Sequence, residues 1–127
     1  MASELEPPFQ FRRENLSTNA VVRVCLPADI SNEMILIGLL AKQLSFPDYF
    51  GENWDALEEC LRDLSWLPAG PIVLEHVDVP LVRDVANARI YIAMLADATR
   101  ETSRSDRPLR VVFPPDFRDQ ISWLLRL

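Results

Sequence analysis

Three short runs of apolar, largely β-branched residues, separated by long stretches of helical pattern, constrain the fold of this chain more than any other feature. The runs cover residues 20–26, 71–75 and 109–113, and a proline opens or closes each of them. Strands joined by connections this long pair in parallel through right-handed crossovers. We therefore predict an α/β fold of two layers, a three-stranded parallel sheet packed with helices.

The stretches between and after these runs have the spacing of apolar residues that is typical of helices. Ser31 and Asn53 are suitable N-caps for the first two helices, and Pro80 suits the first turn of the third. We expect a break in the third helix near Asn87, and we expect the first helix to be well buried. The predicted helices cover residues 32–44, 53–64, 80–102 and 116–127.

The length of 127 residues predicts one domain with its own core. We divide the chain into an N-terminal leader (1–19, with at most a short strand at 9–11), the α/β domain (20–113) and a C-terminal extension (114–127) that is expected to be helical. The extension is rich in apolar residues. We expect it to dock on its own domain, with self-association as the alternative; its apolar residues are Phe117, Ile121, Trp123, Leu124, Leu125 and Leu127.

The charge balance bears on the kind of partner. Nineteen acids against thirteen bases give a net charge of -6. Nucleic acids and anionic membranes bind preferentially to basic protein surfaces, so neither is predicted as a direct partner. A basic protein or a cationic ligand fits the charge better.

The N-terminal residues are acidic and lack the apolar stretch of a signal peptide, and no apolar run approaches the length of a membrane span. We therefore predict a cytoplasmic protein. In that compartment Cys25 and Cys60 are expected to be reduced, and we predict that both are buried.

Catalytic chemistry finds few candidate residues. The chain has one histidine, His76, with two cysteines and three glycines, too few for a zinc site of His and Cys or for a glycine-rich phosphate loop. His76 follows a strand, where we expect a position at the edge of the core or on the surface. Asp55 and Glu59 are four residues apart on one helix, so they do not readily flank a substrate as an acid–base pair does. We predict no enzymatic activity, no cofactor and no metal.

The second predicted helix and its approach concentrate negative charge. On a helical wheel Trp54 and the leucines fall in one arc and most acids in the opposite arc, with Glu58 and Arg62 flanking the acids. Like charges four residues apart destabilise a helix by about 0.2–0.5 kcal/mol per pair, so a solvated face and a face that binds a cationic partner both remain open. The acids are Asp48, Glu52, Asp55, Glu58, Glu59 and Asp63.

Two aromatic residues precede this helix in the segment Asp48-Tyr49-Phe50-Gly51. We expect Phe50 to pack in the core. Tyr49 either packs as well or, beside the carboxylates, contributes to a protein-binding surface, where tyrosine is enriched.

Residues 46–61, FPDYFGENWDALEECL, followed by IVLE at 72–75, resemble the barstar family of intracellular inhibitors of barnase-type ribonucleases. The resemblance covers about residues 20–113. It implies the three-stranded parallel sheet, and it implies that the loop and second helix block a ribonuclease active site with carboxylates in place of the RNA phosphates. Glu58 departs from the family's tryptophan, and Glu59 departs from its central aspartate.

We therefore predict an inhibitor of a basic, barnase-type ribonuclease or related toxin, acting as an immunity protein or antitoxin. The alternative is a module of the same fold that binds a different basic protein without inhibiting a ribonuclease. By motif position the resemblance implies contacts at Tyr49, Asn53, Asp55 and Glu59, and by spacing at Asp97. The predicted partner-binding residues are Tyr49, Asn53, Asp55, Glu58, Glu59 and Asp97.

Overall fold

A parallel sheet of four strands forms the centre of the fold in the computed structural model, which describes residues 7–12, 20–48 and 51–127. The strands lie in the order β1-β4-β3-β2, and neighbours pair in parallel. This confirms the predicted α/β class and the parallel pairing. The strands are β1 (Gln10–Phe11), β2 (Val22–Leu26), β3 (Ile72–His76) and β4 (Leu109–Phe113).

The prediction of three strands is wrong, because β1 adds a fourth at the outer edge of β4. Gln10 pairs with Val112 and Phe11 with Phe113. The short strand is anchored by aromatic packing: the ring of Phe9 lies 5.4 Å from that of Phe113, and Phe9 is buried. The sequence allowed at most a short strand at 9–11, and that strand is present at Gln10–Phe11, but two residues are too few to predict that it joins the sheet.

The part of the chain that the structure describes also forms four α-helices. They are α1 (Glu33–Gln43), α2 (Trp54–Asp63), α3 (Val85–Thr102) and α4 (Arg118–Leu125). The first is capped by Asn32, whose side chain accepts a hydrogen bond from the Met34 amide at 2.7 Å, and not by Ser31 as predicted. Its exposure also differs from the prediction, because Met34 and Ile35 are about half exposed.

The third helix begins later than predicted. Leu81 adopts a left-handed backbone with φ of 64°, and its amide donates to the carbonyl of Ile30 at 3.0 Å. The chain therefore turns at Leu81 before Asp84 caps α3. The expected break near Asn87 is absent from α3, which is continuous from Val85 to Thr102.

The C-terminal helix packs against α3. Ile121 and Leu124 are buried there, while Trp123 stays about half exposed on the outer side. Arg89 of α3 adds a hydrogen bond from its Nε to the carbonyl of Leu127 at 3.1 Å. The helix thus docks on its own domain, and self-association remains a prediction.

His76 lies in the core and not at its edge or surface as predicted. It is 5 % exposed and stacks on Phe113 with 4.0 Å between ring centroids. Its Nδ1 donates to the carbonyl of Val112 at 3.1 Å, so its Nε2 accepts from the Tyr91 hydroxyl at 2.7 Å. Burial lowers the pKa of His76 to about 4, and burial raises the pKa of Tyr91. We call His76 and Tyr91 the buried pair.

The two cysteines occupy different environments. Both are free thiols, but Cys60 is buried and Cys25 is exposed, so the prediction is wrong for Cys25. Its side chain takes an outward position on the edge strand β2. Its backbone amide and carbonyl exchange two hydrogen bonds with the side-chain amide of Gln43, both 3.2 Å, which covers part of that edge.

Candidate partner-binding surface

Asn53 fixes the start of α2, as the sequence predicted. Its backbone is extended, and its side-chain oxygen accepts a hydrogen bond from the Ala56 amide at 2.8 Å. The preceding Glu52 has a left-handed backbone with φ of 55°. Because the cap commits the Asn53 oxygen to the helix, its Nδ2 group, 3.4 Å from the carbonyl of Gly51, is the part of this side chain that remains for an outside partner.

The helix has two distinct faces. Leu57 and Leu61 are fully buried and Cys60 is nearly so. On the other side Asp55, Glu59 and Asp63 are exposed; we call these three residues the acidic face. The burial agrees with the predicted wheel, in which the apolar side of α2 packs in the core.

No member of the acidic face forms an ion pair with another described residue. The acids that do form ion pairs in the described part of the chain are Glu58, Glu75, Asp97 and Glu101. The field of these carboxylates reaches into the helix. The pKa of the Cys60 thiol is raised, first by burial and then by the negative charges of Asp63 and Glu59. The three carboxylates therefore carry negative charge that no ion pair with a described residue neutralises.

Glu58 differs from the acidic face because its carboxylate forms an ion pair. Its carboxylate binds the guanidinium of Arg62 one turn later, and the Nε of Arg62 also lies 2.6 Å from an oxygen of Glu101 on α3. The internal partner of Glu58 could be anticipated from its i,i+4 spacing to Arg62. The contact with Glu101 could not, because it depends on how two distant segments pack.

Asp97 lies on the part of α3 that runs beside α2. It is exposed, it is one helical turn before Glu101, and it pairs loosely with Arg100 at 3.8 Å. The helices also touch near their starts, where the Trp54 indole donates to Asn87 at 3.0 Å. These contacts place Asp97 and Glu59 at about the same height along the two neighbouring helices. Tyr49 and Phe50 lie outside the described residues.

Asn87 holds the starts of three helices together, a role that the sequence did not predict. Besides accepting from the Trp54 indole, its Nδ2 lies 2.7 Å from a carboxylate oxygen of Asp84 and 3.4 Å from one of Glu33. Glu33, Trp54 and Asn87 lie at the starts of α1, α2 and α3. The network thus ties together the three helix N-termini next to Asn53 and Asp55.

The acidic face lines neither of the two cavities found in the described residues. A cavity of about 380 Å³ lies elsewhere, between the loops that follow β2 and β3, and is lined by Ile30, Leu81 and Val82 among others. Within residues 7–12, 20–48 and 51–127 no group of three His, Cys, Asp or Glu could hold a metal ion. No helix in the same ranges is long and apolar enough to cross a membrane.

The fold is that of a small α/β protein with a parallel sheet and a helix, α2, that has an exposed acidic face. The family model of barstar (barnase inhibitor) matches residues 21–114, which cover most of the chain. The chain belongs to the barstar family. A comparison with curated proteins found no match.

Proposed function

We propose that this protein inhibits a barnase-type ribonuclease by placing the acidic face in the enzyme's basic active site. The carboxylates of Asp55 and Glu59 then stand where RNA phosphates bind. Membership of the barstar family supports this role. The observation that carries the proposal is that Asp55 and Glu59 are exposed and lack an ion pair with any described residue, although they lie four residues apart on one helix.

Repulsion between these carboxylates favours a cationic partner. A helix with two like charges at i,i+4 is less stable by a few tenths of a kcal/mol than one with a mixed pair. Binding to the Arg, Lys and His residues of a ribonuclease active site relieves that repulsion. The same charge raises the rate of association, an effect that salt screens.

The other predicted contact residues have different parts in this proposal. Asp97 adds a carboxylate from α3, and Asn53 offers its side-chain amide at the start of α2. Tyr49 is proposed as a further contact on the motif resemblance alone. Glu58 is the weakest of the proposed contacts, because Arg62 already binds its carboxylate.

A second candidate is a module that uses the same face to bind a different basic protein. The ion pair of Glu58 favours this candidate. At the position where the family has a tryptophan, the partner meets a carboxylate that Arg62 already neutralises, so a barnase-type enzyme would lose a contact there. The two candidates share the acidic face and differ in whether RNA cleavage is blocked.

The test is the inhibition of RNA hydrolysis by a barnase-type ribonuclease, titrated with wild type and with Glu59→Ala at low and moderate salt. We expect tight inhibition by wild type, a strong loss in Glu59→Ala, and slower association as salt increases. Asp119→Ala, which removes an exposed acid from α4, is the matched control and should inhibit like wild type. Failure of the wild type to inhibit while it still captures another basic protein would favour the second candidate.

A further inference from the structure

Arg62 is a cation placed within the acidic surface of α2. At about 100° per residue it comes within about 20° of Asp55 around the helix axis, and it follows Glu59 by three residues. Its side chain is 41 % exposed. A basic partner that covers Asp55 and Glu59 therefore approaches a fixed positive charge as well.

The guanidinium of Arg62 is shared between two carboxylates. One belongs to Glu58 on the same helix, and the other belongs to Glu101 on α3, 2.6 Å from the Arg62 Nε. The side chains of Glu58 and Glu101 are 33 % and 51 % exposed. A partner's cation must compete with Arg62 for either of them.

We propose that Arg62 determines which basic partner fits this surface. It withholds Glu58 and Glu101 from the partner, and it repels a partner that carries Lys or Arg opposite its own position. The partner is then a basic protein whose positive charges lie opposite Asp55 and Glu59 and are interrupted by a neutral or acidic group opposite Arg62. This inference rests on the proposed function, because it assigns specificity to the same face.

A purely structural role for Arg62 is the competing explanation, since its ion pair with Glu101 ties α2 to α3. Exposed ion pairs of this kind contribute little to stability. Like-charge contacts across an interface, in contrast, discriminate strongly between partners. Measurements of binding separate the two explanations, because a merely structural tie would not increase affinity when it is removed.

The first experiment compares Arg62→Gln with wild type in association and dissociation with a barnase-type ribonuclease. We expect Arg62→Gln to associate about three to ten times faster at low salt, with a steeper salt dependence. Arg23→Gln is the matched control, because Arg23 also forms an exposed ion pair, with Glu75, and lies on the edge strand β2. It causes the same change of net charge, and we expect less than about a twofold effect. Equal acceleration by the two variants would overturn the proposal.

The second experiment tests whether Arg62 withholds Glu58. Glu58→Gln is introduced into wild type and into Arg62→Gln, and the dissociation rate is measured. We expect little change in wild type and at least about a threefold faster dissociation in the Arg62→Gln background, where Glu58 is available to the partner. The same acceleration in both backgrounds would contradict the withholding of Glu58.

A third measurement separates this inference from the proposed function. A synthetic oligoarginine peptide serves as a general cationic probe, and its affinity for wild type, Arg62→Gln and Arg23→Gln is compared. Tighter binding by Arg62→Gln alone, combined with no ribonuclease inhibition by wild type, would reject the proposed function and retain the role of Arg62. Equal peptide affinity of the two arginine variants would reject the role of Arg62.

Discussion

The buried pair and the acidic face differ in how their polar groups are satisfied: the first has hydrogen-bond partners inside the core, and the second is exposed to solvent. In the core, both ring nitrogens of His76 have a hydrogen-bond partner, and one of these partners is the hydroxyl of Tyr91. On α2, Asp55 and Glu59 have no ion pair with any described residue. A buried polar group that lacks a partner is costly, so the fold has to supply one. Surface carboxylates remain hydrated, so α2 can hold them for an external partner at a small cost.

The largest effect on stability is expected on the inner side of α2. Leu57 is fully buried, so Leu57→Ala removes core contacts and leaves a cavity. We expect a loss of about 2–5 kcal/mol in the free energy of unfolding, measured by urea denaturation. A loss below about 1 kcal/mol would contradict the assignment of this side of α2 to the core.

The buried pair should make stability depend on pH. The unfolded chain protonates His76 near its ordinary pKa of 6.5, whereas the native pKa is lowered to about 4 by burial. Stability is therefore complete above pH 6.5 and decreases as the pH falls toward 4, by about 3 kcal/mol in all. The measurement is urea denaturation from pH 7.5 to 4.5. His76→Leu is the comparison variant: it should be less stable at pH 7 and show a smaller loss on acidification, and an identical pH slope in both proteins would refute the explanation.

The network at Asn87 should contribute a smaller amount. Asn87→Ala removes the acceptor of the Trp54 indole, and we expect a loss of about 1 kcal/mol in the free energy of unfolding. Trp54→Phe removes the donor. Asn87→Ala should therefore cost less in the Trp54→Phe background, and strictly additive losses would show that the two side chains are not coupled.

The smallest expected effect is a difference in stability between alanine variants at two residues of the acidic face. Asp55 lies in the first turn of α2, where a negative charge interacts favourably with the helix dipole, while Glu59 lies beyond it. We expect Asp55→Ala to be less stable than Glu59→Ala by about 0.3–1 kcal/mol at low salt. Thermal unfolding at low and high salt would check this, and a difference that does not shrink with salt would exclude the electrostatic explanation.

Features encoded in short stretches of sequence were predictable. The cap at Asn53 and the two faces of α2 follow from one residue type and one periodicity, and the strands 72–76 and 109–113 follow from apolar runs. Features that depend on contacts between distant segments were not predictable. The late start of α3 depends on the turn at Leu81 against Ile30, and the ion pair between Arg62 and Glu101 depends on the packing of α3 beside α2.

The central claim is that the outer side of α2 serves binding and not stability. Glu59→Ala tests it most directly, with the free energy of unfolding and the inhibition of a barnase-type ribonuclease measured on the same sample. We predict unchanged or slightly higher stability, and inhibition weaker by about 2–5 kcal/mol, a range that already includes measurements on the barnase–barstar pair. Undiminished inhibition, or a loss of inhibition that merely follows a loss of stability, would contradict the claim.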